Sequence, residues 1–221
     1  MTTSATTRTG QLTRALAAED ASVRLRAAVA AGTSPDPALL DVLVGRCAAE
    51  PDFFVREALT WALTRLPARL VLPRLRRELT SPLAQARSQA LHTLSKVGDP
   101  SAWPWITPEL LHDPETEVAR TAWRAAVVLV PDGERERLAG ELLRHLGRGD
   151  RDTRLSLSRA LVGLGEVVRP LLAAPARHPD PEVAVHAGVT EVLLDDPGAG
   201  FDGAWDAVRR TALPGPASPE C

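Results

Sequence analysis

The stretch Ser81-Pro-Leu-Ala-Gln-Ala-Arg-Ser-Gln-Ala-Leu-His-Thr-Leu-Ser-Lys-Val-Gly-Asp99 decides the fold. Ser81 is a favourable helix N-cap, and Pro82 suits a first helical position, where no N–H is needed. Apolar residues then recur at offsets 0, 4, 8 and 11, which is the spacing of one face of a helix. These residues are Ala86, Ala90, Leu94 and Val97. Gly98 then provides a C-terminal stop, so the stretch predicts one amphipathic helix.

The same pattern recurs along the chain, each time after another helical segment. Its six anchor positions are Val23, Val55, Ala86, Val118, Thr153 and Val183, separated by 32, 31, 32, 35 and 30 residues. A period of about 30 to 40 residues with two helices per unit is typical of an α-solenoid. The first helices of the fourth and sixth pairs are predicted over Asp99–Leu111 and Glu166–Ala176. No stretch shows the alternation of a strand.

We expect a polar, loose N-terminus over residues 1–9, one solenoid domain over 10–213 and a disordered tail over 214–221. The solenoid begins with a short helix at Gln11–Ala18. A last helix at about Phe201–Leu213 covers its open end.

The composition restricts the class of protein. With 26 Lys and Arg against 28 Asp and Glu, the net charge is -2 and the pI is about 6.2, which argues against a general nucleic-acid binder. The two cysteines are far apart in the sequence and indicate neither a disulfide framework nor a metal site. No apolar run is long enough to span a membrane, and the first residues contain no hydrophobic signal segment. We therefore expect a cytoplasmic protein with no membrane partner.

The second helices share a local motif, in which an acidic or Ser-Pro turn is followed by a small residue and an Arg. The motif occurs at Val23-Arg24, Val55-Arg56, Ala86-Arg87 and Thr153-Arg154. Several first helices have a proline close before a leucine, as at Pro73, Pro108 and Pro170. Over roughly residues 11–195 the chain resembles HEAT repeats.

The resemblance implies an all-α fold, a right-handed α-solenoid of about six HEAT-like helical hairpins with a C-terminal capping helix. It also implies that prolines bend the first helices and that Asp and Arg form a ladder between neighbouring pairs. The chain departs from the pattern in the fourth pair, where the Arg stands one position late at Arg120. In the sixth pair Ala184 takes its place.

The helical angles predict which side chains face the concave groove. At about 100° per residue, offset +6 falls opposite the apolar stripe, and offsets +2 and +10 lie beside it. Offset +6 carries Val29, Trp61, His92, Arg124, Arg159 and Val189. Because Trp and Arg often anchor interfaces, we predict a partner-binding set of Trp61, Arg65, His92, Lys96, Arg120, Arg124 and Arg159. The alternative is that the Trp residues only fill helix junctions and the cations are merely solvated.

No phosphate loop, nucleophile elbow or metal-spaced His/Cys set is present in the sequence. We therefore predict no catalytic residue, metal or cofactor. The favoured function is a non-catalytic scaffold or regulator that binds a protein or peptide, possibly acidic, in its groove.

The alternative is a nucleic-acid-binding protein or an alkylpurine DNA glycosylase of the HEAT-like class. The chain resembles those glycosylases in size and in Trp61 and Trp123, but its pI is acidic. It also has no acidic residue on the +6 row between Arg124 and Arg159. Phycobilisome-lyase-like HEAT proteins share the scaffold, but no residue specific to their chemistry is visible.

Overall fold

The computed structural model describes the backbone of residues 2–212 and the side chains of residues 8–211. Within these residues the secondary structure is entirely helical. The α-helices are α1 (Thr2–Leu16), α2 (Ala21–Thr33), α3 (Leu40–Ala49), α4 (Phe53–Thr64), α5 (Ala68–Glu78), α6 (Ala84–Val97), α7 (Pro108–Leu111), α8 (Thr116–Leu129), α9 (Arg135–Leu143), α10 (Arg151–Leu164), α11 (Arg169–Leu172), α12 (Pro181–Asp195) and α13 (Phe201–Ala212).

The helices form two compact units, with the boundary between Leu129 and Val130. In the first unit α2, α4, α6 and α8 pack side by side in chain order, and α1, α3, α5 and α7 each pack against the second helix of their pair. In the second unit α10 packs against α12, α12 packs against α13, and α9 and α11 contact their following helices. The predicted repetition of paired helices is therefore confirmed. The continuous right-handed solenoid stays a prediction.

Helix α6 lies within the stretch Ser81–Asp99, whose pattern predicts the fold. The first three apolar residues of its stripe are buried. The stop is as predicted: Gly98 adopts φ 67°, and its N–H donates to the Leu94 carbonyl at 2.9 Å. The start differs, because the helix begins at Ala84 rather than directly after Ser81. Ser81 Oγ instead accepts a hydrogen bond from the Leu83 N–H at 3.3 Å, in a turn before the helix.

At the two ends of the chain, the helix bounds differ from the predicted ones. Helix α1 begins at Thr2 rather than at Gln11 and ends at Leu16. The predicted last helix is present as α13. The predicted tail 214–221 lies outside the described residues.

Two predicted first helices are broken. In place of one helix over Asp99–Leu111, the chain forms a 3-10 helix at Pro100–Trp105 and then the one-turn α7. Pro104 and Pro108 each lack an N–H, so a continuous ladder of hydrogen bonds is impossible here. The predicted helix Glu166–Ala176 is interrupted in the same way, with α11 between two short 3-10 helices.

A fully buried carboxylate, Glu50, joins α2, α3 and α4. Its oxygens accept hydrogen bonds from Arg24 at 2.7 and 2.8 Å, from Arg46 at 2.8 Å and from the Asp52 N–H at 2.9 Å. Burial raises the pKa of Glu50, but these hydrogen bonds outweigh it and lower the pKa to about 2. Arg24 is itself only 5% exposed, so both charges depend on the pairing.

The same kind of ion pair recurs between other neighbouring helix pairs. Arg87 donates to both oxygens of Asp113 at 2.9 and 3.0 Å, and Arg154 donates to Glu182 at 2.5 Å. In the fourth pair the displaced Arg120 lies near a carboxylate of its own helix instead. The Arg ladder implied by the HEAT resemblance is therefore present after the first, third and fifth pairs.

We expect Glu50→Gln to lower the free energy of unfolding by about 3–5 kcal/mol, because it leaves the buried Arg24 without a counter-ion. The contribution of Glu50 is fully present above its unfolded pKa of about 4.5. It is lost as the pH falls towards 2, through the folded pKa. Urea denaturation at several pH values measures both effects. The control Glu117→Gln, on an exposed side chain, should change stability by less than about 1 kcal/mol.

In the second unit, α13 covers α12. Five residues form one buried apolar cluster between these helices: Val185, Val189, Leu193, Phe201 and Ala204. The prediction that Val189 faces an open groove is therefore wrong: it is 0% exposed. The reason is that the apolar side of α13 occupies that face of α12.

His186 is buried beneath the same helix. Its Nδ1 accepts the Gly147 N–H at 3.1 Å, and its Nε2 lies 3.1 Å from both the Arg154 carbonyl and Ser158 Oγ. Gly147 adopts φ 76°, and a Cβ there would lie 3.0 Å from Val183, so a glycine is required for this contact. Burial, which disfavours the charged imidazolium, lowers the pKa of His186 to about 4.

Protonation of His186 should destabilise the second unit. Its neutral form contributes stability that is complete above the unfolded pKa of about 6.5 and is lost as the pH falls towards 4. We expect His186→Gln to abolish this part of the pH dependence, which amounts to at most about 3 kcal/mol. Hydrogen exchange of the α12 amides between pH 7 and pH 4 measures it. An unchanged pH slope in His186→Gln, or a reduced slope in the exposed control His178→Gln, would contradict the assignment.

Candidate partner-binding face

Six of the seven predicted partner-binding residues lie on the exposed side of α4, α6 and α8. Trp61 and the C-cap Arg65 of α4 stand at offsets +6 and +10, as do His92 and Lys96 of α6, whereas Arg120 and Arg124 of α8 stand at offsets +2 and +6. With two further exposed residues at matching angles, on α2 and α4, they define what we call the open face: Val29, Phe54, Trp61, Arg65, His92, Lys96, Arg120 and Arg124.

Trp61 is the apolar centre of the open face. Its ring crosses onto α2, where a Cβ added to Gly32 would lie 2.2 Å from Cζ3. The missing side chain of Gly32 therefore makes the space that the indole occupies. The ring remains 43% exposed. Trp61 thus packs at a helix junction and also presents apolar surface to solvent.

His92 on α6 lies beside Glu57 of the neighbouring helix α4. Its Nε2 lies 3.0 Å from Glu57 Oε1 on α4, within ion-pair distance but without the angles of a hydrogen bond. Burial lowers the pKa of His92; Glu57 opposes this shift, whereas Lys96 and Arg124 add to it. The imidazole is therefore mainly neutral at pH 7. It provides a polar surface rather than a charge.

The cations of the open face fall into two groups. Arg65 and Lys96 are exposed and form no ion pair with any described residue. Arg120 and Arg124 lie 3.5 and 3.3 Å from the exposed Glu117 of their own helix. Exposed pairs contribute little to stability, so Arg65, Lys96 and Arg124 remain accessible to an acidic ligand, whereas Arg120 is half-buried.

Phe54 is a member of the open face that the sequence analysis missed. It is 69% exposed and stands seven residues, or two turns, before Trp61. The adjacent Phe53 contacts it edge to face, with ring centroids 5.6 Å apart. The signal was present in the sequence, because offset −1 of the repeat falls at nearly the same angle as offset +6. The predicted set contains only offsets that follow the anchor, such as +6 and +10, and therefore omits Phe54.

Arg159, the seventh predicted residue, lies on α10 in the second unit. It is exposed and has no ion pair among the described residues. The predicted set therefore comprises six residues of the first unit and one residue of the second.

Most of the other tryptophans fill helix junctions, as the packing alternative predicts. Trp123 is 2% exposed, and its indole N–H donates to the Leu111 carbonyl at 2.9 Å. Trp103 is also buried. Trp105 is half-buried, with Arg76 5.3 Å from its ring centroid. Trp123 is thus unavailable for stacking on a nucleic-acid base, which weakens the resemblance to the glycosylases.

The paired helices, their common spacing and the Arg ladder define an all-helical, HEAT-like repeat protein. It is similar in structure to an engineered protein (18% identity, 89% of this chain and 97% of that chain, TM-score 0.45) and to human deoxyhypusine hydroxylase (17%, 92% and 94%, TM-score 0.46). It is also similar to a chain in the structure of the CpcE–CpcF complex of phycocyanin lyase from Nostoc sp. PCC7120 (17%, 93% and 94%, TM-score 0.37). No protein-family model and no curated protein sequence matches the chain.

Gly32→Ala tests the position of the Trp61 ring. We expect it to destabilise the first unit by about 1–3 kcal/mol, because the new methyl group overlaps the indole. In a Trp61→Ala background the same substitution should instead stabilise by about 0.5–1 kcal/mol, because alanine favours a helix over glycine. Urea denaturation of the four proteins in this double-mutant cycle gives the coupling energy. Equal effects of Gly32→Ala in both backgrounds would show that the ring lies elsewhere.

Proposed function

We propose that the chain is a non-catalytic scaffold or regulatory protein that binds an acidic segment of a partner protein on the open face. The observation that carries this proposal is the combination of exposed aromatic rings, Phe54 and Trp61, with two unpaired cations, Arg65 and Lys96. We assign the six predicted residues of the open face to partner contact, and we leave Arg159 out of this surface.

The aromatic rings explain why the surface should bind a protein rather than only remain solvated. A contiguous exposed apolar patch rimmed by polar residues is typical of an interaction site, whereas single exposed apolar side chains are common. Trp61 also has the properties of a binding anchor, since it is large, amphipathic and already fixed against α2.

The charges indicate the chemistry of the partner. Cations outnumber carboxylates on the open face, and the nearby carboxylates Glu57 and Glu117 already lie beside His92 and Arg124. A ligand with carboxylate side chains would pair with Arg65 and Lys96 at little desolvation cost. An acidic peptide with apolar residues therefore fits best.

Selection of peptides from a random phage-displayed library on the wild-type protein tests this proposal. We expect the selected peptides to combine Asp or Glu with apolar residues. Their affinity should fall about 10-fold or more in Trp61→Ala, which removes the anchor. It should fall by a similar factor in the double variant Arg65→Glu/Lys96→Glu, which reverses the unpaired charges. Fluorescence anisotropy of a labelled selected peptide measures each dissociation constant.

Matched controls lie on the first-helix layer of the same unit. Arg69→Glu/Arg77→Glu makes the same change in net charge at two exposed cations of α5, and Trp105→Ala removes a half-buried ring. Circular dichroism should show unchanged helicity in every variant. Peptides without acidic residues, or equal affinity for the open-face variants and these controls, would reject the proposed surface.

The nucleic-acid alternative makes a different prediction in the same proteins. If the open face bound DNA, a gel-shift assay would show binding at low salt that weakens steeply as salt is added. A glycosylase would also release bases from alkylated DNA. Neither outcome is expected for a peptide-binding surface of this charge.

No helix in the described part of the chain is long and apolar enough to cross a membrane.

A further inference from the structure

The second unit contains a cleft of its own, of about 500 Å³. It lies between the exposed side of α10, the linker 197–200 and the start of α13. Apolar side chains of α10, α12 and α13 line it, namely Leu155, Val162, Leu193 and Phe201. Two guanidinium groups, Arg151 and Arg159, line it as well. Concave sites with an apolar lining and a few polar groups are typical of ligand binding.

The protein itself shows what docks at one end of this cleft. Arg151 donates to both carboxylate oxygens of Asp202, at 2.7 and 2.6 Å. The adjacent Phe201 is buried in the apolar cluster on α12. A carboxylate next to a large apolar side chain, both from α13, thus already binds to the α10 and α12 surface.

Arg159 repeats the cation of this arrangement two turns further along α10. Arg151, Leu155, Arg159 and Val162 follow one another at helical spacing and share one side of the helix. Leu155 and Val162 are only half-buried against the apolar cluster. Arg159 is exposed and pairs with no described acidic residue. The cleft therefore offers an unpaired guanidinium beside incompletely covered apolar surface.

We propose that this cleft binds a peptide segment of a partner in which an Asp or Glu directly adjoins a large apolar side chain. Arg159 binds the carboxylate, and Leu155, Val162 and Leu193 contact the apolar group. The bound segment thereby makes the same kind of contacts, to neighbouring residues, as Phe201 and Asp202 make within the chain. This site belongs to the second unit and does not depend on the open face of the first.

The test uses the full chain and the blocked peptide acetyl-Ala-Phe-Asp-Ala-amide, titrated by two-dimensional NMR, which detects weak binding. We expect saturable shifts of the Leu155 and Val162 methyl groups and of the Arg159 side-chain N–H. Arg159→Gln should weaken binding about tenfold, which corresponds to the loss of one charge-assisted hydrogen bond. The amide analogue acetyl-Ala-Phe-Asn-Ala-amide should lose affinity to a similar extent on the wild-type protein.

The control Arg148→Gln removes an exposed cation of the second unit outside this cleft and should bind the peptide as the wild type does. Trp61→Ala should also leave this titration unchanged, which separates it from the test of the open face. An absence of shifts at the cleft, or equal binding by Arg159→Gln and wild type, would overturn the proposal. It would also be overturned if dodecanoate saturated the site while the peptide did not, since that would indicate a site for free amphiphiles.

Discussion

The structure of the first unit depends on one buried carboxylate. Glu50 holds a guanidinium from α2 and one from α3, and it also caps the turn into α4. Three helices therefore meet at a single charge that has no access to water. Such an arrangement is stable only when every donor is in place, which fixes where α4 begins relative to α2. Two turns after that start, the Trp61 ring reaches the backbone of Gly32.

The sequence predicted those features of the fold that depend on local repetition. The apolar stripe of α6, the stop at Gly98 and the positions of Trp61 and Arg65 all follow from helical angles within one segment. The sequence did not predict the structure where two local effects compete. In the fourth pair, helical spacing predicted a first helix, but Pro104 and Pro108 remove the N–H groups that it needs.

The sequence also did not predict contacts between segments that lie far apart along the chain. Val189 was assigned to open surface because its angle within α12 is the same as that of Trp61 within α4. That angle could not reveal that α13, which follows a turn, folds back onto this face. Likewise, the period of the repeat could not show that the chain divides near Leu129, or that Arg159 lies in a different unit from the other candidates.

The contact between Trp61 and Gly32 has a consequence for the entropy change when a ligand binds. A side chain that rotates freely must be immobilised when it binds, and this cost is of the order of 1 kcal/mol. The indole of Trp61 is already wedged over a helix backbone, so most of that ordering has occurred during folding. An incoming ligand would meet a stationary anchor, and the entropy that is normally lost on association would not have to be lost again.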